Sequence, residues 1–344
     1  MNLHVKRLSI SQFLVGLVII FSGTSFLCAE EQKPLKEVIA EKVKFKYQNP
    51  KVAMHPHLRE IIDQYDANSV VAQAIQLTKD PNETTKKFGY TLLGYAGYEH
   101  DAPHIRKPIV QAFVGGLKNK GIAHSCAKSL MNYRKRDFSK EAKASLKQHF
   151  EEVLSTGSHS RHVKNVILLI GVADMQTEVD RLQAIIDQID EPLRYKHKSK
   201  QWMGGAITAL KAKARMGDKD AIQQCISMVD SVSDEDYKVE TLLKQLEYIR
   251  QPEAVEYIKQ FLYSDKVPPQ LSHDAFELPY SHRAIANLQK MIVGFPTWRE
   301  SYNAYKHKRG TDLEFSKKRV KFADYYPEYC RQWIEAQTSI EIIR

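Results

Sequence analysis

The sequence predicts an all-α protein in which helix pairs stack into a right-handed α-α superhelix, an α-solenoid of about six to seven pairs. Apolar residues recur at helical spacing, strand-like alternation is almost absent, and similar helix pairs repeat every 33 to 43 residues. The 344 residues are 43% hydrophobic and 27% charged, which excludes collagen-like, low-complexity and mostly disordered chains.

Residues 1–29 have the pattern of an export signal. Lys6 and Arg7 form a positively charged start, Phe13–Ile20 is a short apolar run, and small residues lead to a predicted cleavage site near Ala29. No later stretch has the ~20 consecutive apolar residues that a transmembrane helix needs. The sequence therefore predicts an exported protein, periplasmic or secreted, with no membrane span in the mature chain.

Two alternatives would keep the chain at a membrane. The signal could remain uncleaved as an anchor, or Cys28 could carry a lipid. Leu27 disfavours lipidation, because the residue before a lipidated cysteine is usually small.

The mature chain is predicted to be basic and free of cofactors. Removing Lys6 and Arg7 leaves 49 of the 51 Lys and Arg residues against 41 Asp and Glu, so the net charge falls from +10 to +8. In an exported protein, positive charge favours anionic lipids, acidic glycans or acidic proteins as partners over nucleic acid. Cys126, Cys225 and Cys330 form no metal-binding or disulfide pattern, and the first two are predicted to be core residues.

Residues 30–56 are rich in Lys and Glu and poor in apolar residues, which predicts a polar arm or linker. Two apolar stretches follow, Leu58–Tyr65 and Val70–Leu77, and they predict the first helix pair of a repeat region that spans residues 57–306.

Five further segments each contain an apolar helical stretch, a short polar turn and a second apolar helical stretch. They are Phe88–Phe113, Cys126–Phe150, Val163–Ile186, Ala206–Val229 and Val239–Leu262. When their second helices are aligned, equivalent residues are spaced by 37, 37, 43 and 33 positions. These anchor residues are Ile105, Ala142, Val179, Ile222 and Val255. A period in this range is typical of α-helical repeats.

Helix faces and helix starts agree with this interpretation. Apolar residues at i, i+3, i+4, i+7 and i+10 define one face between Val239 and Ile249, and Val166–Ala173 is apolar nearly all round. Pro81 and Pro252 are predicted at first helical positions. Capping by a hydroxyl and a carboxylate is predicted in three segments: Thr177-x-x-Asp180, Ser233-x-x-Asp236 and Thr297-x-x-Glu300.

The segment Ala206–Val229, AITALKAKARMGDKDAIQQCISMV, resembles the HEAT-like repeats of bacterial proteins. It has an alanine-rich first helix, a Gly-Asp turn and an Ala-Ile second helix, and similar copies begin at Leu92 and Leu168. The resemblance implies an armadillo-like solenoid that binds other macromolecules. It implies no active site, because the repeats specify a surface and not a chemistry.

The C-terminal segment, residues 307–344, is basic and aromatic and is predicted to form a helical cap in which Tyr325, Tyr326, Tyr329 and Trp333 pack. Two basic clusters are candidate anion-binding sites. One contains Lys306, Lys308, Arg309, Lys317, Lys318 and Arg319, and the other contains Arg194, Lys196 and Lys198. The alternative is that these cations are only solvated.

No pattern of catalytic residues is present. The sequence contains no GxSxG or SxxK motif, and no glycine-rich turn follows a strand. The histidine pairs His55-x-His57 and His159-x-x-His162 lack further ligands nearby in sequence, so exposed histidines are expected rather than a metal site.

These observations predict a non-enzymatic, exported scaffold or binding module for a protein partner. The alternatives are an electrostatic binder of anionic envelope lipid or acidic glycan, and an accessory subunit of an envelope enzyme. Salt dependence separates a charge-based partner from a groove-based one.

Overall fold

A computed structural model describes residues 33–49, 51–155, 160–189, 193, 204–267, 278–309 and 324–344. Within these ranges the regular elements are helical, and the strand-like pairing found there is an isolated antiparallel bridge between Ile292 and Ile342. The all-α class is therefore confirmed. Backbone contacts divide the chain into two units, Met1–Tyr65 and Asp66–Arg344.

The described part of the first unit is a helix pair, α1 (Leu35–Gln48) and α2 (His55–Gln64). The prediction of an arm or linker over residues 30–56 did not foresee α1. The sequence of α1 is rich in helix-forming Lys and Glu, and it buries only a narrow face, including Val38 and Ile39, as it packs on α2. A helix with so few buried positions gives a weak periodic signal.

The boundary between the units divides the predicted first pair, Leu58–Tyr65 and Val70–Leu77, whereas the second unit contains the five later predicted pairs. Its helices in the described ranges are α3 (Ala67–Thr78), α4 (Glu83–Glu99), α5 (Pro103–Gly116), α6 (Ala123–Leu130), α7 (Lys140–Ser155), α8 (Arg161–Val172), α9 (Val179–Ile186), α10 (Gly204–Arg215), α11 (Lys219–Asp230), α12 (Glu235–Tyr237), α13 (Leu243–Ile249), α14 (Pro252–Lys259), α15 (Tyr280–Leu288), α16 (Trp298–Arg309) and α17 (Tyr325–Glu335). A π-helical turn joins α12 to α13.

Helices of the second unit contact one another in two series. The first helices of successive pairs pack in the order α6, α8, α10, α13 and α15, while second helices pack as α3 on α5, α5 on α7, and α11 on α14. Each pair therefore covers its neighbours, as expected of a stacked array. The handedness of the superhelix stays a prediction.

The turns inside three successive pairs use the same backbone conformation. Asp174, Gly217 and Arg250 have positive φ angles of 54°, 97° and 49°. Each lies five residues before a predicted anchor of the repeat. Those anchors are Val179, Ile222 and Val255. The alignment made from apolar residues thus coincides with a repeated left-handed turn.

Two of the predicted helix starts are confirmed. The backbone N–H of Thr297 donates to Glu300 Oε2 at 2.7 Å, and the N–H of Glu300 donates to Thr297 Oγ1 at 3.2 Å. Pro252 opens α14 immediately after its N-cap, Gln251. A proline there loses no helical hydrogen bond.

Three other predicted starts are wrong. Asn82, not Pro81, precedes α4 because its side chain accepts bonds from two backbone N–H groups. Asp234 replaces Ser233 as the cap of α12, since a carboxylate is the stronger acceptor. Thr177 lies within a 3₁₀ turn before α9 and caps no helix.

The core agrees with the predicted burial. Cys126, Cys225 and Cys330 are fully buried and unpaired. Near the C-terminus, Trp333 packs edge-on against Phe295 with ring centroids 5.3 Å apart, so the predicted aromatic packing is present. Among the helices that the structure describes, none is both long and apolar enough to cross a bilayer.

Candidate functional site

The two basic clusters predicted from sequence fall largely outside the described residues. Lys306, Lys308 and Arg309 lie in the last turn of α16. The others lie outside the described ranges: Lys317, Lys318, Arg319, Arg194, Lys196 and Lys198. Anion binding by these clusters therefore stays a prediction, and the candidate site is found elsewhere.

A cleft of about 480 Å³ opens where the end of α5 and the start of α6 face the end of α7 and the start of α8. Leu117, Ala123 and Val153 supply its apolar lining. A volume of this size accommodates a small molecule or a few side chains.

A close helix approach fixes one side of this cleft. Gly116 ends α5, and a Cβ atom there would lie 2.5 Å from Sγ of Cys126 on α6. Glycine therefore lets the two helices meet at the point from which Leu117 and Lys118 enter the cleft.

All ionisable side chains that line the cleft in the described structure are basic or imidazole groups. They are Lys118, Lys120, His124, His149, Arg161 and His162. Because carboxylates are missing from this described lining, the cleft concentrates positive potential over an apolar surface. We call this feature the basic cleft.

Two of these side chains form a histidine pair. Nε2 of His149 on α7 lies 2.9 Å from Nε2 of His162 on α8. His149 is only 6% exposed, and its Nδ1 lies 3.5 Å from Oε2 of Glu152. His162 Nδ1 is buried and has no hydrogen-bond partner among the described residues.

One arrangement of protons in the neutral pair fits both contacts. If His149 donates from Nδ1 toward Glu152, its Nε2 accepts, so His162 must donate from Nε2. A further proton fits only on His162 Nδ1, because a proton on His149 Nε2 would oppose the N–H of its partner. In this arrangement the pair has one position for a further proton, the buried Nδ1 of His162.

Burial and neighbouring charges keep the pair largely neutral. Burial lowers the pKa of His149, an effect that Glu152 opposes and Lys118 reinforces. Burial, followed by the charge of His149, lowers the pKa of His162.

Glu152 joins the histidine pair to the edge of the cleft. Its Oε1 accepts a hydrogen bond from Nζ of Lys118 at 3.0 Å, and this bond is the main cause of the lowered pKa of Glu152. The ionised Glu152 thus orients both Lys118 and His149.

Lys120 and Arg161 are the cations left without a partner at the cleft. Both side chains are exposed, and within the described ranges neither forms an ion pair. Their charges are therefore available to a ligand.

The expectation of exposed histidines is correct for His55 but wrong for His57 and His162, which are half-buried, and His159 lies outside the described residues. His162 is half-buried because it pairs with His149, thirteen residues earlier on the adjacent helix. A signal for His149 was present, since it follows Ala142 and Leu146 on the apolar face of α7. In the part of the chain that the structure describes, no three His, Cys, Asp or Glu side chains are grouped to hold a metal ion.

The chain matches no protein-family model, and no curated protein matches it. Its resemblance to HEAT-like repeats therefore rests on its own residues.

Proposed function

We propose that the protein is a non-enzymatic binding module whose basic cleft holds an acidic segment of a protein partner. The observation that carries this proposal is the described lining: six basic or imidazole side chains beside apolar residues, without a carboxylate. An entering Glu or Asp side chain gains charge-assisted hydrogen bonds, while adjacent apolar side chains cover Leu117 and Val153.

The repeat architecture supports a macromolecular partner. Stacked helix pairs present long surfaces, and the HEAT-like segments imply the same use. If residues 1–29 act as the predicted export signal, the partner is an envelope or extracellular protein.

An anionic lipid surface or an acidic glycan is the competing partner. It would use the C-terminal cluster predicted from sequence, Lys306 to Arg319, in place of the basic cleft. A polymer or membrane makes many exposed contacts, whereas a bounded cleft with apolar lining favours single side chains of a peptide.

The test uses two fluorescent decapeptides, one alternating Glu and Leu and one alternating Gln and Leu. We expect the protein to bind the Glu peptide, and the variant Lys120→Gln/Arg161→Gln to bind it roughly tenfold more weakly at low salt. The matched control is Lys219→Gln/Arg299→Gln, which removes the same charges from exposed positions elsewhere in the second unit.

Equal affinity for both peptides, or an equal loss in both variants, would contradict a role for the basic cleft. Binding to anionic vesicles or heparin that survives Lys120→Gln/Arg161→Gln, without any binding of the Glu peptide, would favour the competing partner.

A further inference from the structure

A second cationic site lies in the turns of the pairs α10–α11 and α13–α14. Of the three residues with positive φ in these repeated turns, Asp174 and Gly217 are types that adopt this conformation readily. Arg250, with φ 49°, is not. A long cation held at a conformational cost suggests that its side chain has a function.

Arg215 is buried beside this turn. It is 7% exposed, and its Nη1 donates to the carbonyl oxygen of Tyr248 at 2.6 Å, two residues before Arg250. Its own carbonyl accepts from Nε2 of Gln251 at 2.7 Å. Arg215 Nη2, however, is buried and has no hydrogen-bond partner among the described residues.

Arg250 also has buried nitrogens without hydrogen-bond partners. Its Nε and Nη1 atoms are buried and make no hydrogen bond within the described structure. The residue as a whole is partly exposed, so the site reaches the surface at this side chain. Three buried guanidinium nitrogens therefore lack acceptors, which is costly for charged groups.

Nearby carboxylates make no hydrogen bond to these guanidinium nitrogens within the described structure. Glu247 pairs with Nζ of Lys290 at 3.0 Å, and Asp174 lies 3.5 Å from Nζ of Lys135. Their charge balances the arginines only in part: burial lowers the pKa of Arg250 most, Glu247 opposes this effect, and the nearby Arg134 adds to it.

Tyr248 and Lys211 lie beside Arg215, whose Cζ atom is 5.6 Å from the centroid of the Tyr248 ring. Lys211 Nζ donates to Oε1 of Gln245 at 2.7 Å and lies 5.3 Å from the centroid of the Tyr248 ring. Burial lowers the pKa of Lys211 to about 8, so its charge is weakly held, whereas burial and then Arg250 lower the pKa of Arg215 only to about 10. At neutral pH both guanidinium groups are charged.

We propose that Arg215 and Arg250 together bind an oxyanion of the phosphate class. Two fixed positive charges match a dianion, and three unpaired N–H-bearing nitrogens match its several acceptor oxygens. The bound anion satisfies the donors and removes the repulsion between the two cations. This site is separate from the basic cleft.

The test compares wild type with Arg250→Asn in the full chain. Asparagine tolerates positive φ, so this variant removes the cation without backbone strain. At constant ionic strength, replacing chloride by phosphate or sulfate is expected to raise the Tm of wild type and leave that of Arg250→Asn unchanged. Calorimetric titration with inorganic phosphate is expected to show at least tenfold weaker binding by the variant.

The variant Lys120→Gln/Arg161→Gln is the matched control. It alters the basic cleft and is expected to keep the full response to phosphate, so failure of the cleft proposal and failure of this one are distinguishable. In phosphate-free buffer we expect Arg250→Asn to be at least as stable as wild type, because repulsion and strain are both relieved.

Three results would overturn the proposal. They are a phosphate response of wild type no larger than the chloride response, a full response in Arg250→Asn, and marked destabilisation of Arg250→Asn in phosphate-free buffer. The last would mean that the guanidinium is already satisfied.

The phosphate group could be free or carried by a partner. A serine decapeptide and its phosphorylated form separate the two sources. Tighter binding of the phosphopeptide than of inorganic phosphate assigns the group to a partner, and the reverse order assigns it to the free ion.

Discussion

Two arginine clusters in the turns of the second unit differ in their charge balance. In the earlier cluster, Arg106 lies 3.3 Å from Asp137, and both Arg134 and Arg136 lie 3.1 Å from Asp101. In the later one, Arg215 and Arg250 form no ion pair within the described structure, and three of their nitrogens are buried without acceptors. In the earlier cluster only one arginine nitrogen, Nε of Arg106, is buried without an acceptor among the described residues.

The comparison separates two uses of arginine in similar turns. Where two carboxylates pair with the three arginines, the cluster acts as a joint between helices and most of its charge is balanced. Where the described structure pairs no carboxylate with the arginines, an anion from solution can bind and balance their charge. Each cluster can be disturbed by a single substitution with an opposite expected result.

The largest effect is expected in the compensated cluster. Asp137 is fully buried, pairs with Arg106 and accepts from the backbone N–H of Arg134 at 2.9 Å. Asp137→Asn keeps the shape but leaves Arg106 with only the exposed Asp101, so we expect a loss of about 2–3 kcal/mol in the free energy of unfolding. Urea denaturation measures it. No loss of stability in Asp137→Asn, the result expected for Arg250→Asn, would erase the distinction between the clusters.

The packing beneath the later cluster gives the next effect. A Cβ atom on Gly171 would lie 2.9 Å from Cα of Ala212 and 2.5 Å from the hydroxyl of Tyr248. Gly171→Ala is therefore expected to lower the free energy of unfolding by about 2 kcal/mol through overpacking. Tyr248→Phe should recover only part of this loss, because the clash with Ala212 remains.

Gly115→Ala is the control for that substitution. No atom lies within 4 Å of a Cβ at Gly115, which is exposed on α5. Alanine is the better helix former, so this change is expected to be neutral or stabilising by up to about 1 kcal/mol. If both glycines respond alike, packing at Gly171 is not the cause.

Acidification is expected to turn the neutral histidine pair into a cationic one. The pKa values of His149 and His162 are lowered in the folded protein, so below the usual value of 6.5 the unfolded chain binds more protons. Their contribution to stability is thus present above that pH and is lost as the pH falls. We expect Tm to decrease between pH 7 and pH 5, and less steeply in His149→Gln/His162→Gln. An equal decrease of Tm with falling pH in wild type and in the double variant would contradict this contribution of the histidine pair.

The smallest effect on stability is expected at the C-terminal cluster. Charge reversal to Glu should change the free energy of unfolding by no more than about 0.5 kcal/mol per site, as for solvated charges. The substituted residues are Lys306, Lys308, Arg309, Lys317, Lys318 and Arg319. If this cluster binds polyanions, retention on heparin falls sharply. Unchanged retention would leave the cations as a solvated surface.

The spacing of apolar residues was sufficient to predict the helix pairs, because a helix that buries one face has apolar residues at helical intervals along that face. The alignment of Val179, Ile222 and Val255 even locates the left-handed turns, which follow from repeating one backbone path. Helix α1 was missed because only a narrow face, including Val38 and Ile39, is buried.

Neither cationic site could be found in this way. The histidine pair joins two helices across thirteen residues, and the basic cleft depends on which helix ends face each other. The buried nitrogens of Arg215 and Arg250 lack hydrogen-bond acceptors among the described residues because of how the chain folds. Composition cannot show this. The sequence shows where basic residues are concentrated, whereas the structure shows which of them are paired with an acceptor.

The hydroxyl of Tyr248 donates to the carbonyl oxygen of Leu168 at 2.5 Å, 80 positions earlier in the chain. This bond passes from α13 to α8 and so skips the intervening helix α10. In a stacked array, each pair ordinarily exchanges contacts only with its immediate neighbours, and the ends can open one pair at a time. Because this hydrogen bond joins two helix pairs that are not adjacent, we expect the three pairs from α8 to α14 to unfold locally together. Amide hydrogens from α8 through α13 should therefore exchange with solvent as a single cooperative block.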